Sequence, residues 1–292
     1  MSEKPSGKRD PRVDAALDVI ESAFVAGAQV MMPLFSGGHD SICATVLASR
    51  HPKFMGDVFH FDTGIGAKAT RIFVDEVCRE FRWNLRVFKS PSTYEMFVRE
   101  QGFPGPGMHQ WAYIRLKERC LRQAMKGFGK DRVALITGCR SQESARRMGH
   151  VLPLKIGETN KDGKVSEKRR LWVAPCHDWS PRDQMEFMDA DDLPRNPLKL
   201  SPLGMSGECF CGAFARPAEI EMLRQYAPDV AAEIDRLSVI AMESGKHSVW
   251  GTRPNKAKGI VAAQTGPMCS SCDARAISAG IITVPLGGDH AS

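Results

Sequence analysis

The sequence predicts an α/β fold in which a parallel sheet is flanked by helices. Two observations carry this. Short apolar runs of strand length alternate with amphipathic runs of helix length through the first two-thirds of the chain, the pattern of βαβ units. The first apolar run, Val30-Met31-Met32-Pro33-Leu34-Phe35, leads directly into Ser36-Gly37-Gly38-His39-Asp40-Ser41 and then into an amphipathic stretch over residues 42–49. Strand, tight loop, helix start is the layout with which open α/β sheets bind ligands beyond the carboxyl ends of their strands.

The elements follow in order. Residues 1–12 are polar and basic, without the apolar core of a signal peptide, and read as a disordered tail. Residues 14–26 have helical spacing, with Ala15, Leu17, Val19, Ile20 and Phe24 in one stripe. Residues 30–35 are almost continuously apolar, as expected of a strand buried on both faces. The next helix turns Ile42, Val46 and Leu47 inward. Residues 57–61 form a second strand, 69–81 a second amphipathic helix and 85–88 a third strand. Gly102-Phe103-Pro104-Gly105-Pro106-Gly107 suits neither a helix nor a central strand and reads as a mobile loop on the substrate side. Residues 109–125 form a long helix, and 133–137 a strand running into a loop with Arg140. The turn at residues 160–164 implies a hairpin between Leu152 and Val173. Its charged flank, residues 161–170, reads as a solvated excursion, with contact to a polyanion as the other reading. Ser180 caps a helix over residues 181–190. The nucleotide-binding α/β domain spans 13–200, and a Cys-rich region spans 201–292 with helical runs at 218–226 and 229–242.

The 292 residues are 42% hydrophobic and 25% charged, ordinary for a soluble globular protein. No apolar run approaches the roughly 20 residues of a membrane span, so the expectation is a cytoplasmic protein with no membrane partner. Nine cysteines in that setting point to metal, redox chemistry or buried thiols rather than to a disulfide framework. The net charge of +6 fits an anionic substrate such as a nucleotide and permits nucleic acid.

Gly37 and Gly38 let the backbone turn sharply and approach a ligand closely. The loop amides and the first N–H groups of the helix then converge on one spot, which suits a phosphate. The loop is not a Walker motif, because the Gly-Lys-Ser/Thr ending is absent. It resembles the SGGxDS signature of the PP-loop pyrophosphatases and, within them, the phosphoadenosine-phosphosulfate (PAPS) reductase family. His60-Phe61-Asp62-Thr63-Gly64 is similar to that family's LDTG strand end, and residues 137–146 resemble its TGxRxxES/QSxxR loop. Pro175-Cys176-His177-Asp178-Trp179-Ser180 and Leu193-Pro194-Arg195-Asn196-Pro197-Leu198 resemble two further segments. These segments run in family order from Val30 to Cys211.

The resemblance implies a Rossmann-like, adenine nucleotide α-hydrolase-like domain that binds ATP, or the sulfonucleotides APS or PAPS. It implies a nucleotide site of Ser36, Gly37, Gly38, His39, Asp40 and Ser41, with Asp62, Thr63 and Gly64 at the second strand end and Gly138, Arg140 and Arg146 in the later loop. Asp40, Arg140 and Lys117 are the candidate catalytic residues. Asp40 is a ligand or water-holder for Mg²⁺, and the cations are partners for phosphates.

Cys209-Phe210-Cys211 and Cys269-Ser270-Ser271-Cys272 form two close pairs, whereas Cys43, Cys78 and Cys120 are dispersed in helical patterns. Four thiolates from two tight turns hold a tetrahedral metal or an iron–sulfur cluster; the bland reading is four unrelated thiols. Structural zinc favours a two-residue gap in both pairs, and Cys209/Cys211 has one. The pairs also resemble the [4Fe–4S]-bearing branch of the family, which includes APS reductase and DNA phosphorothioation sulfurtransferase-like proteins. There the first pair is adjacent, so the match is not identical. A [4Fe–4S] cluster is favoured, with Zn²⁺ as the alternative.

Reductases of this family attack with a thiolate near the C-terminus, in a segment like Glu-Cys-Gly-Leu-His. No cysteine follows Cys272 here. Cys139, beside Arg140, is one substitute nucleophile. The favoured reading is adenylylation of a substrate by ATP, releasing pyrophosphate, for sulfur transfer, with nucleic acid as one acceptor class and a sulfur donor protein or reductant as partner. The alternatives are a sulfonucleotide reductase forming sulfite and a non-catalytic, nucleotide-bound, metal-stapled subunit. An oligomer is compatible with either.

Overall fold

The computed structural model describes residues 10–141, 152–159, 165–251 and Met268. The strands are β1 (Val30–Pro33), β2 (Asp57–Asp62), β3 (Asn84–Lys89), β4 (Val133–Ile136), β5 (Leu154–Thr159) and β6 (Val165–Val173). β1 pairs in parallel with β4, Val30 opposite Val133, and β4 pairs in parallel with β6, Val133 opposite Arg170. β2 and β3 are parallel, Asp57 opposite Asn84. Among the described strands only β5 runs antiparallel, as the other arm of the expected hairpin; the turn at 160–164 lies outside the described residues. β1 meets β2 at the Leu34–Phe59 bridge, where Phe35 N donates to Phe59 O at 2.9 Å. The spatial order is therefore β3-β2-β1-β4-β6-β5. The chain steps outward from β1 to β3 and then restarts on the other side at β4. The crevice of this Rossmann-like sheet lies at that reversal, between the carboxyl ends of β1 and β4.

Strand alternation divides the core. Met31, Ala134 and Ile136 face a cluster with α1 (Pro11–Val25), α2 (His39–Ser49), α3 (Lys68–Glu80) and α7 (Pro181–Ala190). Met32, Val133 and Leu135 face Cys120, Leu121 and Ala124 on the opposite side. Helices thus cover both faces, which is why β1 and β4 read as unbroken apolar runs. Helix α1 begins inside the expected tail. Asp10 accepts from Arg12 N at 2.9 Å, Pro11 supplies the first helical position, and Arg12 pairs with Asp183 and Glu186.

The expected long helix is present but not uniform. α5 (His109–Tyr113) and α6 (Arg119–Lys126) flank a π-helical turn at Ile114–Glu118. The Gly-Pro stretch before it is not a mobile flap. Phe103 and Pro106 are buried, Phe103 N donates to His247 O at 2.9 Å, and a Cβ at Gly102 would lie 2.7 Å from His247 backbone atoms. Gly102 lets the chain press closely against the His247 backbone.

The described residues beyond 200 pack on α4 (Tyr94–Gln101) and α5, sharing a cluster with Tyr94, Phe97, Val98 and Phe103. They include α9 (Ile220–Tyr226) and α10 (Pro228–Glu243), close to the expected helical runs; the short α8 (Pro197–Leu200) precedes them. Residues 206–210 lie along the β2–α3 connection. Ala67 N donates to Gly207 O at 2.8 Å and Phe210 N to Ile65 O at 3.0 Å. Among the described residues, no helix is long and apolar enough to cross a membrane.

Candidate functional site

The Ser36–Ser41 loop sits at the reversal point. Gly37 has φ +79°, and a Cβ there would lie 2.9 Å from Thr70 Cγ2, so conformation and space both require glycine. Gly38 has ordinary φ, and its Cβ would meet Ser206 Cβ at 3.4 Å. The steric demand therefore falls on Gly37 first. Ser41 Oγ ties the loop together. It accepts from Ser36 N and Gly38 N, both at 3.2 Å, and donates to Gly38 O at 2.9 Å. The amides of His39, Asp40 and Ser41 then open α2 without intrahelical carbonyl partners. Behind the loop, fully buried Asn196 donates to Gly37 O at 2.8 Å and Ser206 O at 2.9 Å.

The β4 loop closes on the same spot. A Cβ at Gly138 would lie 2.4 Å from Asp40 C and 2.5 Å from Ser41 N, so only glycine permits this approach. Arg140 Nε donates to Asp40 Oδ1 at 2.6 Å, and Gln184 Nε2 donates to the same oxygen at 2.5 Å.

Together these elements line a half-open cleft with about 630 Å³ of empty space, the open solvent at its mouth included. Its apolar lining comes from Leu34 and Phe35 just after β1 and from Phe59 and Phe61 of β2. Its polar lining comes from Ser36, Gly38, Asp40 and Ser41, then Thr137, Gly138 and Cys139. Lys117, Ser206, Glu208 and Met268 complete it. Lys117 reaches the cleft from the π-helical turn. Its Nζ donates to Glu208 Oε2 at 2.7 Å and Met268 O at 2.5 Å. π turns redirect side chains within a helix and recur at functional sites.

Several expected residues do not line the cleft. Asp62 is buried at the end of β2, where it pairs with Arg71 at 2.7 Å and Lys89 at 3.5 Å and accepts from Gly64 N. Thr63 Oγ1 donates to Glu208 O at 2.8 Å. Asp62, Thr63 and Gly64 thus shape the connection that holds residues 206–210. His39 is buried away from the cleft lining, and its Nε2 has no partner among the described residues. Burial, with Lys199 and Arg195 nearby, holds its pKa below the ordinary value against the opposing pull of Asp40. Arg146 lies outside the described residues. Gln184, Ser206 and Glu208 were not foreseen, because none belongs to a recognisable motif.

Of the four candidate metal ligands, Cys209 is half-buried and Cys211 buried on one loop beside Trp250. Cys269 and Cys272 lie outside the described residues. Met268 immediately precedes Cys269, and Glu208 immediately precedes Cys209. Lys117 Nζ binds both Met268 O and Glu208 Oε2, so one side chain joins these two positions. Tyr94 Oη donates to Cys211 O at 2.7 Å; burial foremost, then Cys211 and Cys209, raises its phenol well above the ordinary range. Among the described residues alone, no three ligating side chains cluster.

Residues 30–201 match the phosphoadenosine phosphosulfate reductase domain. The chain belongs to that family. The family match covers the Ser36 loop, Lys117, Arg140 and Gln184 and stops before Ser206, Glu208 and the cysteine pairs. A phosphoadenosine 5'-phosphosulfate reductase of Xanthomonas axonopodis pv. citri is 27% identical over 168 residues, 56% of this chain and 62% of the relative. Sulfate adenylyltransferase subunit 2 of Colwellia psychrerythraea is 25% identical over 186 residues, 58% of this chain and 60% of the relative. The chain thus spans less than two-thirds of the length of either relative. A solved PAPS reductase from Candida auris, in a phosphate complex, is similar with a TM-score of 0.47 at 15% identity, covering 68% of this chain and 93% of that chain.

Proposed function

We propose that this PAPS-reductase-family protein binds ATP in the cleft and adenylylates an acceptor for sulfur transfer. The observation that carries the reading is the Ser36–Ser41 loop, with the open amides of α2, at the sheet's reversal point in a cleft that Phe59 and Phe61 also line. The amides and Arg140 suit the phosphates; Phe59 and Phe61 suit the adenine. An acceptor oxygen attacks the α-phosphorus, the bond to the bridging oxygen breaks, and pyrophosphate leaves. Mg²⁺, when bound, neutralises phosphate charge, and Asp40 is the carboxylate that fits it. Lys117 is held in the cleft lining by Glu208.

Cys209, Cys211, Cys269 and Cys272 would hold a [4Fe–4S] cluster, or zinc as the alternative. Two soft thiols on one loop fit half of either set. Residues 201–292 are read as the region that carries this centre. Reduced thiols also suit a cytoplasmic setting. Nucleic acid is the acceptor class to test first, with a sulfur donor protein or reductant as second partner.

A second reading, a sulfonucleotide reductase, is favoured by the name of the Xanthomonas relative and by Cys139, which lines the cleft. Incubation with α-labelled ATP and duplex DNA, and separately with APS or PAPS together with a dithiol reductant, tests both. AMP and pyrophosphate with labelled acceptor support adenylylation; sulfite, lost in Cys139→Ser, supports the reductase. ATP binding with neither product supports a non-catalytic subunit.

A further inference from the structure

Asp40 meets donors from two directions, and both fall on one oxygen. Arg140 Nε lies 2.6 Å and Gln184 Nε2 2.5 Å from Oδ1. No described residue hydrogen-bonds to Oδ2, and Asp40 lines the cleft. Gln184 itself is buried. It stands on α7, whose start is fixed by Pro181 and by the reciprocal hydrogen bonds of Ser180 and Asp183, and α7 packs on α2.

We propose that Gln184 is a positioning residue for Asp40: with Arg140 it occupies Oδ1, so the carboxylate offers the single oxygen Oδ2 to a Mg²⁺ ion arriving on a nucleoside triphosphate. This rests on the nucleotide reading above. A carboxylate on a short side chain has two torsions, and two donors on one oxygen restrain both. Arg140 is also suited to phosphate, so its hold on Asp40 can be exchanged for a ligand. Gln184 is neutral and remains. It fixes the carboxylate without adding a cation that would compete with the metal. Mg²⁺ demands tight octahedral geometry and takes few protein oxygens, whereas the larger Ca²⁺ accepts bidentate carboxylates. Releasing Oδ1 would therefore weaken Mg²⁺ and favour Ca²⁺.

The test is calorimetric titration of the full chain with ATP in EDTA, in Mg²⁺ and in Ca²⁺. Wild type is expected to gain affinity with Mg²⁺. Gln184→Met should keep the EDTA affinity, lose about tenfold of the Mg²⁺-dependent gain, as outer-shell substitutions do, and narrow the preference for Mg²⁺ over Ca²⁺. Gln184→Asn, whose amide falls one methylene short, should do the same and guards against a folding defect in the first variant. Neither should change anything further in an Asp40→Asn background. An unchanged Mg²⁺ gain, an equal loss in EDTA and Mg²⁺, or additive losses with Asp40→Asn would overturn the proposal. ATP binding with no metal effect in wild type overturns it too and leaves the nucleotide reading standing; no ATP binding in any condition overturns both.

Discussion

Lys117 and Glu208 form an ion pair of 2.7 Å in which the two side chains are only 5% and 10% exposed. It joins the π-helical turn to the segment that leads into Cys209, and so closes the polar end of the cleft. Taking either charge away strands the other in a nearly dry place. Breaking such a pair from one side costs on the order of 3–5 kcal/mol, while replacing both partners with apolar groups is often close to neutral.

Lys117→Met should therefore lower unfolding free energy by about 3 kcal/mol, and Lys117→Met/Glu208→Leu should recover most of it. Urea denaturation of the three proteins provides the comparison. A double variant as unstable as the sum of its singles would show that the pair does not act as a unit.

The two loop glycines should separate into different roles. Gly37→Ala puts a Cβ at positive φ and against Thr70, which together should cost about 2 kcal/mol. Gly38→Ala meets only ordinary contacts with Ser206, so its melting temperature should stay within a few degrees of wild type. Its methyl faces the cleft, and ATP affinity should fall. Equal melting temperatures for the two variants would refute the assignment.

Much of this arrangement is legible in the chain because it is local. β1 and β4 announce themselves as apolar runs covered on both faces, and Ser36–Ser41 announces itself as a turn between strand and helix. What is not legible comes from distant segments. Glu208 and Ser206 sit in an aperiodic Gly- and Ser-containing stretch, and they reach the cleft only because residues 206–210 bond along the β2–α3 connection. Gln184 belongs to no motif, and only the packing of α7 on α2 brings it to Asp40. The Gly-Pro stretch at 102–107 has the composition of a mobile loop, yet Gly102 serves close packing against His247. Asp62 reads as a ligand-facing strand end, but Arg71 and Lys89, one from a helix and one from the adjacent strand, claim it.

The cysteine pairs give a spectroscopic prediction. Anaerobically purified protein should be brown, with iron and acid-labile sulfide, and Cys209→Ser and Cys269→Ser should each lose most of both. Ligand loss should also destabilise the region beyond residue 200, because the binding free energy of a structural metal is also folding free energy. One equivalent of zinc without sulfide, from iron-replete cells, would select the zinc alternative; full metal content in both variants would remove these residues from the site.

His39 gives a prediction in pH. Its folded pKa lies below the ordinary value near 6.5, chiefly through burial and then through Lys199. The unfolded chain therefore takes up a proton near pH 6.5 that the folded chain refuses. As pH falls through that value, the unfolded state is favoured, and the stability present above it is lost until the folded pKa is reached. His39→Gln keeps a polar side chain there but cannot titrate. Wild type should thus lose more stability than His39→Gln between pH 7.5 and 5.5, with the two curves converging in slope above pH 7.5. Guanidinium denaturation of both proteins at several pH values across this range gives the readout. Parallel curves throughout would mean that His39 titrates alike in both states and that its burial has no energetic consequence.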